Sequence, residues 1–133
     1  MTLTRENTSR FVQAGTVKVH YHEAGSGPVL LCIHGGAPGA FGWGNFGRNL
    51  AALSQHFRTL IVDLPGYGQS DKPDIDGPRT SFYAQTFSDM LKALGIAKGT
   101  IYHYFKSKEA LLEAVVIDLV AESDANMRAV VDS

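Results

Sequence analysis

The chain has 133 residues, 44% of them hydrophobic and 19% charged, with a net charge of −1. That length suits a single core rather than two full domains, and the composition excludes a disordered tail. The near-neutral balance excludes a global basic field, the single Cys32 excludes a disulfide framework or multi-cysteine zinc cluster, and no apolar run nears the ~20 residues of a membrane span.

The N-terminus Met1-Thr2-Leu3-Thr4-Arg5-Glu6 lacks the apolar centre of a signal peptide, so a cytoplasmic location is expected. Val17 to His22 alternates apolar and polar residues and ends at Gly25-Ser26-Gly27-Pro28, which predicts a strand with one face covered. Val29 to Ile33 is continuously apolar and predicts a strand buried on both faces, with Cys32 as a small core residue. Thr59 to Val62 repeats the pattern and closes on Asp63-Leu64-Pro65-Gly66. Between them Phe46, Leu50, Leu53 and Phe57 fall at helical spacing, so Asn45 to Phe57 is expected as a crossover helix. Strand, helix and strand with Gly-rich joints make a βαβ unit, hence an α/β fold around a parallel sheet.

Asp74 to Thr80 is polar and predicts a loop, and Tyr83, Phe87, Met90, Leu91 and Leu94 then mark an amphipathic helix stopped by Gly95. A short helix from about Lys98 to Phe105 is expected next. A long helix from about Lys108 to Val131 follows, capped by Ser107 and striped by Leu111, Val115 and Leu119. All five prolines and 12 of the 14 glycines precede Ser81, so the chain changes character partway along.

The segment His34-Gly35-Gly36-Ala37-Pro38-Gly39 follows a buried strand and can turn its backbone N–H groups outward, as acyl-transfer chemistry requires of oxyanion donors. A Gly-rich turn alone has the same pattern. No Gly-Lys-Ser/Thr ending follows it, so nucleotide binding is disfavoured; no cofactor and no metal are expected. Together with Trp43-Gly44-Asn45-Phe46-Gly47-Arg48-Asn49 and Asp63-Leu64-Pro65-Gly66-Tyr67-Gly68-Gln69-Ser70-Asp71-Lys72, this segment resembles the α/β-hydrolase fold. Within that fold it is most similar to the meta-cleavage product hydrolases, which cut carbon–carbon bonds in ring-opened aromatic intermediates. The resemblance runs from about Ser9 to Ile96. It implies an oxyanion loop at Gly35, Gly36 and Ala37, with Ala37 replacing the usual third glycine, and a polar residue near the hole at Asn45.

The resemblance also implies a further strand beside Val29–Ile33 that leads into a Gly-x-Ser-x-Gly nucleophile elbow, with an acid and a histidine later in the chain. No serine here has glycines at both flanking positions: Ser70 has Gly68 two residues before it but Lys72 two after. His20, His22 and His34 are expected to be structural, and His56 ends the expected crossover helix. On this reading the chain is an incomplete hydrolase without turnover, and the Val29–Ile33 edge lacks its partner, which predicts cover by later helices or self-association.

From Ala97 to Lys108 there are three lysines and no acid, interleaved with hydroxyl and aromatic groups, as suits phosphate and groove contacts. A solvated basic face would have the same composition. Gly95 to Leu112 resembles the helix-turn-helix of the tetracycline-repressor family. The resemblance implies that Lys98, Thr100, Tyr102 and His103 face DNA, that Lys108 touches a phosphate, and that Ile101 and Phe105 anchor the recognition helix. Only one long helix remains where that family has a dimerising domain, so any DNA binding is expected to be weak.

The sequence is therefore read as a partial hydrolase sheet over residues 1–96, followed by helix-turn-helix-like helices over residues 97–133. Three roles follow: an inactive hydrolase-like fragment, a DNA-binding module, or a fragment that completes another chain's sheet.

Overall fold

A computed structural model describes residues 2–96 and the strand at 101–105. The chain order is α1 (Arg5–Thr8), β1 (Ser9–Ala14), β2 (Val17–Ala24), β3 (Val29–Ile33), α2 (Gly42–Phe46), a 3₁₀ turn (Gly47–Asn49), α3 (Leu50–Leu53), β4 (Arg58–Val62), α4 (Arg79–Ala93) and β5 (Ile101–Phe105). The five strands form one sheet in the order β1-β2-β4-β3-β5. Strand β2 runs antiparallel to β1 and β4, whereas β4 and β5 flank β3 in parallel.

The apolar run of β3 is explained by cover on both faces. Val29, Leu31 and Ile33 point into a core with Leu60, Val62, Tyr83, Phe87, Met90 and Leu91, supplied largely by α4. Leu30 and Cys32 alternate to the opposite face, against Ile61, Phe46 and Leu50. Helix α4 ends as the sequence predicts. Gly95 takes φ +70°, its N–H reaches the Lys92 carbonyl, and the Ile96 N–H reaches back to Leu91 at 2.8 Å, a Schellman closure.

Several expectations need correction. The predicted Asn45–Phe57 helix is instead two short helices joined by a 3₁₀ turn. Gly47 weakens a continuous helix there, and its site is closed off by the Trp43 ring 2.7 Å from where a Cβ would stand. Phe46 and Leu50 nonetheless reach the core. Strand β2 is not covered on one face only: His20 and His22 are each 1% exposed. Phe11 lies against His20, and Trp43 against His22. Helix α1 and strand β1 have no counterpart among the predicted elements.

The largest correction concerns the segment expected as a recognition helix. Residues 101–105 form β5, paired in register with β3 from Val29↔Ile101 to Ile33↔Phe105. Ile-Tyr-His-Tyr-Phe has strong strand propensity, and the β3 edge offers unpaired backbone groups that a helix could not satisfy. The edge expected to be open is therefore paired with β5 of the same chain. The expected helix at Lys108–Val131 and its Ser107 cap lie outside the described residues.

Candidate functional site

The loops after β3 and β4 meet at the carboxyl ends of these parallel strands, where open α/β sheets place their ligands. Asp63, one residue beyond β4, organises this end. Its Oδ1 accepts the Gly42 N–H at 2.7 Å, and its Oδ2 accepts the Gln69 N–H at 3.1 Å and His20 Nδ1 at 2.8 Å. Ser70 Oγ donates to the Asp63 carbonyl and accepts the His20 N–H. Burial pushes the Asp63 carboxyl up, but the Gly42 and Gln69 N–H groups and His20 outweigh it, so its pKa is lowered overall. Gly68 is required because a Cβ there would overlap the Asp63 carboxylate, and its φ is +53°.

The expected oxyanion loop is held at both ends. Fully buried His34 accepts the Leu64 N–H at Nε2, 3.0 Å, while Nδ1 donates to the Gly35 carbonyl at 2.7 Å. This fixes the neutral Nδ1–H tautomer, and burial lowers the His34 pKa accordingly. Tyr67 Oη donates to the Gly36 carbonyl at 2.8 Å, and the Ala40 N–H closes a turn on Ala37. Gly36 and Ala37 are exposed. Asn45 lies in α2 and lines a separate cavity of about 400 Å³ with Gly44, Arg48 and Asn49, so the structure does not bring it together with the Pro38–Phe41 cleft.

A Ser–His–Asp chain is present, although the sequence reading anticipated none. Ser9 Oγ lies 2.7 Å from His20 Nε2, and His20 Nδ1 lies 2.8 Å from Asp63 Oδ2. These are the contacts of a nucleophile, a base and an orienting acid. However, Ser9 opens β1, and β2 and β4 both lie between that strand and β3. Three strand spacings of roughly 4.8 Å separate β1 from β3, and although His20 shares a cavity with Pro38–Phe41, neither Ser9 nor the expected donors Gly35 and Gly36 line it. The chain of bonds ties β1, β2 and the end of β4 together. His22 is also held by a hydrogen bond: Thr8 Oγ1 donates to the Thr4 carbonyl and accepts from His22 Nδ1 at 3.0 Å. Burial, then neighbouring His20, lowers the His22 pKa to about 4.

A cavity of about 590 Å³ opens between the Pro38–Phe41 segment and the Gly66–Gln69 segment, with Arg5, Lys72 and Arg79 on its wall. Gly35, Gly36 and Asn45 do not line it. Sequence reasoning missed Asp63, Tyr67, Ser70 and this basic wall. A carboxylate directly after a doubly buried strand was the available signal, since a buried charge needs several donors. Among the described residues there is no cluster of three metal-ligating side chains.

Of the residues expected to face DNA, Tyr102 and His103 belong to β5, not to a helix. Lys98, Thr100 and Lys108 lie outside the described residues.

Comparison with known proteins gives two resemblances in one chain. Over 101 residues, 71% of this chain, it is 39% identical to a 2-hydroxy-6-oxononadienedioate/2-hydroxy-6-oxononatrienedioate hydrolase of Burkholderia vietnamiensis, covering 35% of that protein. It is 35% identical over 102 residues, 72% of this chain, to a 2-hydroxy-6-oxo-6-phenylhexa-2,4-dienoate hydrolase of Comamonas testosteroni, covering 36% of it. Among solved structures, a meta-cleavage product hydrolase from Pseudomonas fluorescens IP01 superposes with a TM-score of 0.65 at 26% identity, over 74% of this chain and 36% of the other. The chain thus spans about a third of the length of the curated relatives it matches. Residues 80–115 match the family of bacterial regulatory proteins of the tetR type. The N-terminal part therefore has a partial α/β-hydrolase fold, and the match to the regulators overlaps α4 and β5.

Proposed function

We propose that residues 1–96 are the N-terminal part of a meta-cleavage product hydrolase-like domain, fused to a tetR-like DNA-binding segment over residues 97–133, and that the chain keeps the oxyanion loop and has no turnover of its own. One observation carries the reading. Strand β5 fills the place beside β3 from which such a fold launches its nucleophile, yet the sequence continues Lys106-Ser107-Lys108-Glu109, without the glycines of an elbow. Ser107 has Phe105 two residues before it and Glu109 two after, and bulky flanks do not allow the sharp turn an exposed nucleophile needs. The chain is then a fusion whose seam lies near Gly95, acting in the cytoplasm. The test is incubation with a ring-opened dienone and with an aryl ester. No rate above background is expected; turnover abolished by Ser107→Ala or Ser9→Ala would overturn the reading.

A second reading, a DNA-binding module of the tetR type, is favoured by the family match over residues 80–115. Lys98, Thr100, Tyr102, His103 and Lys108 would make its contacts, and without a dimer its affinity would be low. It requires residues 101–105 to leave the sheet and form a helix. Duplex binding with a steep salt dependence, weakened by Lys98→Ala and Lys108→Ala, is its signature; absence of binding at low ionic strength removes it. A third role, completing the sheet of another hydrolase half, predicts co-purification with such a chain.

A further inference from the structure

Ser9 differs from Ser54 and Ser70 in what its hydroxyl faces. Ser70 is buried and its Oγ donates to the Asp63 carbonyl at 2.7 Å, while Ser54 Oγ donates to the Ala51 carbonyl at 3.1 Å. A carbonyl accepts a hydroxyl hydrogen but is too weak a base to remove it. Ser9 is partly exposed, and its Oγ lies 2.7 Å from His20 Nε2.

The imidazole is held for that contact. The Asp63 carboxylate only accepts, so it keeps the hydrogen on His20 Nδ1 and leaves the Nε2 lone pair toward the Ser9 hydroxyl. The Phe11 ring at 4.9 Å and the His22 ring at 4.8 Å flank the His20 ring. Strand register is the cause. Ser9 pairs with His22 and Phe11 with His20, so all four side chains share one face and Ser9 meets His20 on the diagonal.

The nearby donors are committed elsewhere. The Ser9 N–H is given to the Glu6 carbonyl, and Arg10 Nη1 to the carbonyls of Asn7 and Ser9. An oxyanion forming at Ser9 would be stabilised by solvent, so only a carbonyl carbon with a weakly basic leaving group reacts there at a useful rate.

We propose that Ser9 is a covalent acyl-acceptor site, activated by His20, that takes one acyl group from an activated aryl ester and keeps it. Ser9 Oγ attacks the carbonyl carbon and forms the new C–O bond. The bond from that carbon to the aryloxy oxygen breaks, and its electron pair leaves on the aryloxide. The Ser9 proton passes to His20 Nε2 and then to the departing aryloxide, so the products are a serine ester and a phenol. Asp63 is a positioning residue for the ring. The ester persists because water attacking it meets the same shortage of oxyanion donors. This site is separate from a strand-to-helix nucleophile turn, since Ser9 opens β1, and a single acyl transfer is compatible with the absence of turnover.

The experiment incubates the full chain with p-nitrophenyl acetate at neutral pH, follows nitrophenolate release and maps the acetyl group by peptide mass spectrometry. A burst of about one equivalent that then returns to the background rate is expected, with the acetyl group on Ser9. Ser9 should be acetylated about a hundredfold faster than Ser54, the scale of general-base assistance. Urea that melts the fold should bring the two serines to the same rate, as should His20→Gln in protein with an unchanged circular dichroism spectrum. Acetylation of Ser9 no faster than that of Ser54, a burst that survives Ser9→Ala, or a Ser9 rate unaffected by urea would overturn the proposal. Continued release that Ser9→Ala abolishes would overturn both the persistence of the ester and the absence of turnover.

Discussion

The His20 imidazole and the Asp63 carboxylate lie 2.8 Å apart, with side chains only 1% and 4% exposed. The pair joins β2 to the end of β4, and through Gly42 it fixes where the chain re-enters helix after the Gly-rich loop.

Asp63 accepts from the Gly42 N–H, the Gln69 N–H and His20 Nδ1 in a buried position, and an amide puts an NH2 donor where a carboxylate oxygen accepted. Asp63→Asn is therefore expected to cost about 1–3 kcal/mol, measured by urea denaturation with an unchanged m-value. Its acid limb should change as well. The folded pKa of Asp63 lies below 3.8, so its stabilisation is complete above that value and is lost as pH falls through the folded pKa. An acid-unfolding curve should lose this lowest-pH component in the variant.

His22 governs a higher pH window. Its pKa drops from 6.5 to about 4 on folding, so the unfolded chain binds more protons between those values. Stability is complete above about pH 6.5 and falls by up to about 3 kcal/mol as pH drops toward 4, then levels for this group. His34, also lowered, adds to the slope. Thermal scans from pH 7.5 to 4 should show the decline, and His22→Gln should flatten it.

Gly42→Ala tests the packing beneath the loop. An added Cβ would stand 2.8 Å from Ile61 Cγ2 and 2.9 Å from the Val62 carbonyl, both within the sheet. A loss of about 1–3 kcal/mol is expected from overpacking. An unchanged melting temperature would show that α2 can lift away without cost.

Cys32 is a built-in reporter of opening. It is fully buried, and burial pushes its thiol up to about 12. Labelling by an aromatic disulfide at pH 8 should be slow in the native protein and become fast at the denaturant concentration where the fold melts. Rapid native labelling would mean that the sheet opens locally at β3.

Ending the chain at Ile96 removes β5 and bares the backbone edge of β3. Self-association and a lower melting temperature are expected from size-exclusion chromatography and thermal scans. An equally stable, monodisperse product would show that β5 does not stabilise the sheet.

The parallel β3–β4 pair was legible because its apolar runs carry their own signature, and Gly95 marked the end of α4 through the left-handed conformation that glycine favours. The Pro38–Gly39 turn and its neighbours were legible as a loop. The site around Asp63 was not, since its partners His20, Gly42, Gln69 and Ser70 are scattered over 50 residues and only folding brings them together. Helix α1 is too short to show a period, and β1 has exposed residues on both sides of its pattern.

Local order, the doubly covered strands and the missing elbow motif were determined by the sequence itself, because each depends on residues adjacent in the chain. Tertiary structure decided between two local signals over residues 101–105. Their sequence resembles a recognition helix and also has strand propensity, and the unpaired N–H and C=O groups along β3 favour the strand.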